Sequence, residues 1–241
     1  EEIGRGCSGM RTVISVQTSL VCSTILKWGT EEQKQRYLPK LCSGEWLGCF
    51  GLTEPDAGSD AGNVKTTATK VDGGWLINGE KWFVTCGDAA DFLIVHANAG
   101  DDASPTLFLV DKGTPGVEIL HTPVFMHTTV FGHPQIGFTD VFVADDKVLG
   151  EVGQGYDLTK EWFVEERLSI AARTIGAAER ALELARDWAV TREQFGQPIA
   201  GFQMIQAMLA DCAVDIAVNK AYYHQVAWEI DNGADRKTVH A

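Results

Sequence analysis

Gly48-Cys49-Phe50-Gly51-Leu52-Thr53-Glu54-Pro55-Asp56-Ala57-Gly58-Ser59-Asp60 carries a strand into a turn rich in Pro, Gly and short polar side chains. Downstream the same grammar repeats. Val71-Asp72-Gly73-Gly74-Trp75 is a hairpin signal, followed by Leu76-Ile77-Asn78-Gly79. Phe92 to Val95, Thr106 to Val110, Val117 to Leu120 and Ile136 to Val143 continue the series of short β-rich runs. Regularly spaced strands with no helix between them predict a compact antiparallel barrel or sandwich over 46–152.

Both flanks read as helical, so the fold class is α+β. Residues 8–28 mix small and apolar types without Pro and suit a buried helix that stops at Gly29. Thr30-Glu31-Glu32-Gln33 is a capping box that opens a short polar helix running out near Pro39 to Leu41. From about Gln154 the period returns to helical. Phe163, Ile170, Thr174, Ala177, Ala181, Leu184 and Trp188 share one face, as do Ile205, Leu209, Cys212, Ile216, Tyr223, Ala227 and Ile230. Two long antiparallel helices joined by a 192–200 loop follow, as part of a bundle. The expected division is a helical N-terminal part over 1–45, an antiparallel β-barrel domain over 46–152 and a C-terminal helical part over 153–241.

Composition narrows the chemistry. Of 241 residues, 45% are hydrophobic and 22% charged, as in a globular protein able to bury a ligand. A net charge of -13 lacks the field that gathers nucleic acid, which is set aside as a partner. Small phosphorylated ligands stay open, because a few placed cations and backbone amides suffice to hold them. Six cysteines without a CxxC pair, and with no metal-like spacing to the six histidines, predict a reduced compartment and no metal. No apolar run reaches the roughly 18 to 20 residues of a membrane span, and no signal peptide is read. The start at Glu1 without Met, inside helical wording, and the end at Ala241 just after a helical pattern read as truncation at both ends.

Taken alone, the 48–60 segment is a polar surface turn. Its wording, however, resembles the signature of the acyl-CoA dehydrogenase family, with Gly48 to Pro55 similar to the glutaryl-CoA dehydrogenase version. The resemblance implies that Phe50, Leu52 and Thr53 contact the flavin ring of FAD and that Ser59 lies near CoA. Gly79-Glu80-Lys81-Trp82-Phe83-Val84-Thr85 reads as an alternating strand. In it Phe83, Val84 and Thr85 stand where the family writes Trp, an aliphatic residue and Thr. Phe83 would then pack on the flavin with the Thr85 hydroxyl facing its N5 edge; Phe in place of Trp keeps the aromatic surface but loses an N–H donor.

Thr191-Arg192-Glu193-Gln194-Phe195-Gly196 matches the family's Arg-x-x-Phe-Gly loop. By resemblance Arg192 meets the FAD pyrophosphate of a neighbouring subunit, with Phe195 and Gln203 close to the nucleotide; a guanidinium fork suits a pyrophosphate. Without the resemblance Arg192 would read as a solvated cation at a helix end. The fit is poorest between Met126 and Gln135, where His127-Thr128-Thr129-Val130-Phe131-Gly132-His133-Pro134 stands in place of a Ser or Thr and an Arg.

The activity implied is removal of the proton α to a thioester carbonyl by a Glu base while a hydride leaves the β carbon for flavin N5. Most relatives carry that Glu in a Tyr-Glu-Gly motif near their C-terminus, which has no match here. A branch that includes isovaleryl-CoA dehydrogenase carries it before Arg-Leu on the first long helix, where Glu166-Arg167-Leu168 stands. Glu166 is thus the candidate base, unless a Glu beyond Ala241 serves, and Glu166 as an acid near a helix start is the competing reading. Arg167 corresponds to an Arg near the substrate; Phe163, Val164, Ile170 and Ala171 at its helical neighbours leave no acid to pair with it.

The resemblance further implies an acyl-CoA substrate of undetermined chain, an electron-transfer flavoprotein as electron acceptor, a homotetramer, and a bacterial cytoplasm or mitochondrial matrix. The alternatives are an acyl-CoA oxidase or flavin monooxygenase on the same scaffold, or a non-catalytic fragment that binds flavin or acyl-CoA. His96 reads as a strand-end residue, and Trp188, Met204, Met208 and Trp228 as core and interface packing.

Overall fold

The computed structural model describes residues 1–126 and 131–235. Contacts divide the chain into two compact units, Thr12–Phe163 and Glu1–Arg11 with Val164–Ala241. The first is built on a sheet. The chain opens with α1 (Glu2–Gly6), α2 (Ser8–Ser15), a π-helical segment Val16–Cys22, α3 (Ser23–Trp28) and α4 (Glu31–Ser43); α1 and the start of α2, through Arg11, belong to the second unit and the rest to the first. The continuous helix expected over 8–28 is thus interrupted by π-turns. Hydroxyls account for this: Thr18 and Ser19 donate to the carbonyls of Ile14 and Ser15, and Ser23 donates to Thr18, competing with the regular ladder. The π-segment aims Gln17 outward from the helix. Its amide nitrogen donates to the carbonyls of Leu41 (3.0 Å) and Trp46 (2.8 Å), and its oxygen accepts from Gly48 N–H (3.0 Å).

The capping box forms as expected. Thr30 Oγ1 accepts from Gln33 N–H, and Gln33 Oε1 accepts from Thr30 N–H. Before it, α3 stops at Gly29, whose Cβ, if present, would stand 2.6 Å from the Ile25 carbonyl oxygen. α4 runs past the expected end, through Pro39, to Gly44 at φ 76°. Tyr37 and Leu41, buried on its inner face, hold the helix across the one hydrogen bond that Pro removes.

The strands are β1 (Gly48–Gly51), β2 (Thr67–Val71), β3 (Gly74–Lys81), β4 (Phe92–Ala99), β5 (Ser104–Asp111), β6 (Val117–His121), β7 (Gln135–Ala144) and β8 (Val148–Leu149). They form one sheet in the order β6-β7-β3-β2-β4-β5-β8, with β1 added on β4. Among the described residues the sheet is open: β6 and β8 end the path and do not pair, so the expected barrel is not found. Nor is it wholly antiparallel, since β1 and β2 both pair parallel to β4. The 71–74 hairpin forms as expected, with Val71 opposite Gly74 and Gly73 at φ 72°.

The central strands are buried on both faces. One core gathers Trp75, Ile77, Leu93, Val95, Phe108, Val110, Ile136, Phe138 and Val143. The other sets Phe50, Phe92, Ile94, Leu107 and Leu109 against Val21, Ile25, Tyr37, Leu41, Leu158 and Trp162 of the flanking helices. This second core fixes where β1 lies: a Cβ at Gly48 would stand 2.5 Å from Val21 Cγ1.

The second unit is helical. α5 (Gly155–Thr191), which begins in the sheet unit, and α6 (Gln203–Asp231) are joined by a small hairpin of β9 (Glu193–Gln194) and β10 (Gln197–Pro198). α1 packs close on α5; a Cβ at Gly176 would stand 2.3 Å from the Glu1 carbonyl oxygen. Lys220 of α6 bridges the carboxylates of Glu1 and Glu179. Trp188, Met204, Met208 and Trp228 are exposed rather than in a core. Two helices side by side leave most of each circumference uncovered, so helical spacing alone does not bury these residues. Among the described residues no helix is long and apolar enough to cross a membrane.

Candidate active site

Five of the residues expected to meet a flavin line one cavity in the sheet unit. Phe50, Leu52 and Thr53 at the end of β1, with Phe83 and Thr85 beyond β3, surround about 230 Å³ together with Trp82, Trp162 and Phe163. Phe50 is held edge-on to Trp162, ring centroids 5.6 Å apart. Gly58 opens onto the same space and Ser59 beside it is exposed.

The 79–85 segment is not the continuous strand expected. β3 ends at Lys81, and Phe83 takes φ 52°, a left-handed conformation unusual for a bulky residue and characteristic of functional turns. The Phe83 side chain is 48% exposed. Its ring meets Trp82 at 5.7 Å and Phe125 at 6.1 Å. Trp82, which the sequence reading passed over, lines the cavity as well, its indole N–H donated to Glu80.

Behind this wall lies a buried ion pair that the sequence reading also missed. Lys81, fully buried, places Nζ 2.6 Å from Glu54 Oε1 and 3.2 Å from the Leu52 carbonyl oxygen, to which it also donates. Glu54 accepts in addition from Thr66 N–H (3.0 Å) and Oγ1 (2.6 Å) and from Lys65 N–H. Next along the chain, Trp82 N–H donates to the Thr53 carbonyl at 2.7 Å. Two successive carbonyls of the Leu52-Thr53 turn are thus tied to Lys81, the last residue of β3, and to Trp82 just after it. Burial pulls the Lys81 ammonium down to about 8, with Glu54 opposing. Burial raises the Glu54 carboxyl, but Lys81, Thr66 and Lys65 together hold it below its ordinary range. Both groups are therefore ionised at neutral pH.

His96 is not at a strand end. β4 continues to Ala99, His96 pairs with Leu107, and its ring is fully buried, with neither nitrogen hydrogen-bonded among the described residues. Burial, and then the Lys81 charge, bring it down to about 4, so it is neutral.

The other expected site residues belong to the helical unit. Glu166 is half-buried and Arg167 exposed on α5. The Glu166 charge acts on Arg11, whose own protonated form is disfavoured first by burial and then by Arg173. Arg192 follows α5, its carbonyl accepting from Ile199 N–H at 2.8 Å. Phe195 and Gly196 occupy the two turn positions of the β9–β10 hairpin at φ 54° and 78°, and Phe195 is 94% exposed. Gln203, exposed, begins α6. Of the poorly fitting loop, residues 127–130 lie outside the described residues; 131–135 border the cavity wall through His133, whose Nδ1 is 2.9 Å from Thr85 Oγ1. Among the described residues there is no cluster of metal ligands.

The cavity is thus a slot under a helix-flanked sheet, lined by aromatic rings and two threonines. The chain matches the models of the acyl-CoA dehydrogenase N-terminal domain over residues 1–45, middle domain over 49–141 and C-terminal domain over 153–241, and it belongs to the acyl-CoA dehydrogenase family. It is 40% identical over 227 residues to an acyl-CoA dehydrogenase of Bacillus subtilis, an alignment taking in 92% of this chain and 60% of that protein. Among solved structures it resembles butyryl-CoA dehydrogenase of Megasphaera elsdenii with a TM-score of 0.91 and 33% identity, over 99% of this chain and 63% of the other. It also resembles an FAD complex of PigA, with a TM-score of 0.90 and 27% identity, over 98% and 63%. The chain thus spans about three-fifths of the length of the relatives it matches.

Proposed function

We propose that this chain is the greater part of an FAD-dependent acyl-CoA dehydrogenase, and that the cavity floored by Phe50 and Leu52 receives the flavin ring. The observation that carries this is the convergence of Phe50, Leu52, Thr53, Phe83 and Thr85, drawn from two separate segments, on one slot. The slot fits the group in chemistry as well as in shape. Its apolar floor suits a stacked ring, and its volume admits a tricycle but not a whole dinucleotide. The Thr53 hydroxyl has no partner among the described residues, which leaves it available to a ring heteroatom.

When bound, FAD supplies a two-electron acceptor for the β-hydrogen of the substrate. The residues of this chain do the rest. Phe50, Leu52, Trp82 and Phe83 exclude water and fix the ring plane, and the two threonines orient its polar edge. Glu166 is the base proposed for the α-proton. By family resemblance Ser59 would lie near CoA and Arg167 near the substrate. Arg192 would meet the pyrophosphate of FAD on a neighbouring copy of a homotetramer, with Phe195 and Gln203 close to the nucleotide, and an electron-transfer flavoprotein would be the electron acceptor.

The test is to purify the protein, supply FAD and add straight-chain, branched and dicarboxylic acyl-CoAs without oxygen. Flavin colour that binds and then bleaches with one of them is the expected result. Protein that takes up no FAD overturns the reading. Peroxide formed in step with turnover in air would move the activity from dehydrogenase to oxidase.

A further inference from the structure

Residues 132–134 run antiparallel beside 84–86. Val84 N–H donates to the Pro134 carbonyl and Cys86 N–H to the Gly132 carbonyl, each at 3.0 Å. Between these two bonds Thr85 and His133 meet, Oγ1 to Nδ1 at 2.9 Å. The register is held from behind. Gly132 N–H donates to Asp88 Oδ2 at 2.8 Å, and a Cβ at Gly132 would stand 2.7 Å from Thr122 Cγ2. The imidazole lies edge-on to Phe125 at 5.3 Å and 81°, and Phe125 in turn meets Phe83 at 6.1 Å. Thr85 and Phe83 line the cavity, so His133 stands one layer behind two of its lining side chains.

A hydroxyl has one hydrogen and two acceptor positions. If Nδ1 carries a proton it donates to Thr85, whose own hydrogen is then left for the cavity. If Nδ1 is bare it takes that hydrogen, and Thr85 offers only lone pairs. The imidazole therefore fixes both the rotor and the polarity of this hydroxyl. We propose that His133 is a positioning residue that sets the direction and the donor or acceptor character of Thr85 toward the ring bound in the cavity. This rests on the flavin reading, in which Thr85 faces the N5 edge; the two tautomers equip Thr85 to donate to a bare ring nitrogen or to accept from a protonated one.

The experiment titrates FAD into the full protein and into T85V, H133F, H133N and T85V/H133F, following flavin fluorescence and the visible spectrum of the bound flavin. Loss of one oriented hydrogen bond predicts an FAD Kd about 5-fold higher for H133F, with a shifted visible band. H133N, whose amide places a polar atom near the position of Nδ1, should stay within about 2-fold of wild type. In the T85V background H133F should add nothing. Wild-type affinity and spectrum in H133F would overturn the proposal, as would an H133F effect of equal size in T85V, which signifies packing. Failure of wild type to bind FAD sinks the flavin reading and this inference with it. Binding that ignores His133 sinks the inference alone.

Discussion

Two single residues carry distinct tests. If Glu166 is the base, as proposed, Glu166→Gln should leave FAD affinity intact and slow flavin reduction by acyl-CoA by about 10² to 10⁴-fold. Stopped-flow reduction at the wild-type rate would assign the base elsewhere. His96 is tested through stability. Its folded value of about 4 lies below the ordinary 6.5, so the unfolded chain binds the proton more readily. Stability from this group is complete above pH 6.5 and is lost as pH falls toward 4, by on the order of 3 kcal/mol. His96→Leu, which also removes two buried nitrogens that have no partner among the described residues, should flatten the slope of unfolding free energy between pH 6.5 and 5 without loss at pH 7. Denaturant curves across that range check it, and an unchanged slope would mean that other groups titrate there. No pattern around Phe92 to Val95 marks His96 as buried. The strand's extension to Ala99 and the two-sided cover of β4 decide that, and both come from distant parts of the chain.

At the scale of elements, the tie between the end of β1 and the end of β3 is the device that shapes the slot. Lys81→Met leaves the Glu54 carboxylate buried with only Thr66 and Lys65 as donors and should cost about 3 to 5 kcal/mol, most of it recovered in the Glu54→Gln/Lys81→Met double variant. Urea unfolding measures both; a cost under about 1 kcal/mol for Lys81→Met would show that the charge finds other cover. The partners are 27 residues apart in sequence, which is why the pair escaped a reading by local pattern, where a Lys in an alternating run is simply the outward side. Features with local causes were legible: the 71–74 hairpin, the Thr30–Gln33 box, and the apolar runs that became β4, β5 and β7. The parallel seams of β1 and β2 on β4 and the left-handed turn at Phe83 were not, because each depends on a partner segment. In the helical unit the Arg192–Phe195 wording was legible, but not its geometry. Phe195 at φ 54° holds a large ring in a conformation that would suit Gly, as expected of a side chain kept for contact rather than for stability.

For the whole molecule, the slot is one side of a sheet whose other side is packed solid, so occupancy should couple to global stability. With FAD at about 100 times its Kd the unfolding free energy should rise by about 2.7 kcal/mol and Tm by about 5 to 10 °C; scanning calorimetry with and without FAD decides it, and an unmoved Tm argues against a site formed by this chain. The Glu54–Lys81 pair sets an electrical boundary condition on that site. Near neutrality the wall behind the slot carries a dipole of zero net charge, and a dipole's field dies away faster with distance than that of a single ion. A guest gaining electrons there meets little opposition from behind. Above about pH 8, where Lys81 gives up its proton, the same wall becomes an uncompensated anion one residue behind Thr53. Alkaline solution then works against electron gain in the slot without touching any group that lines it.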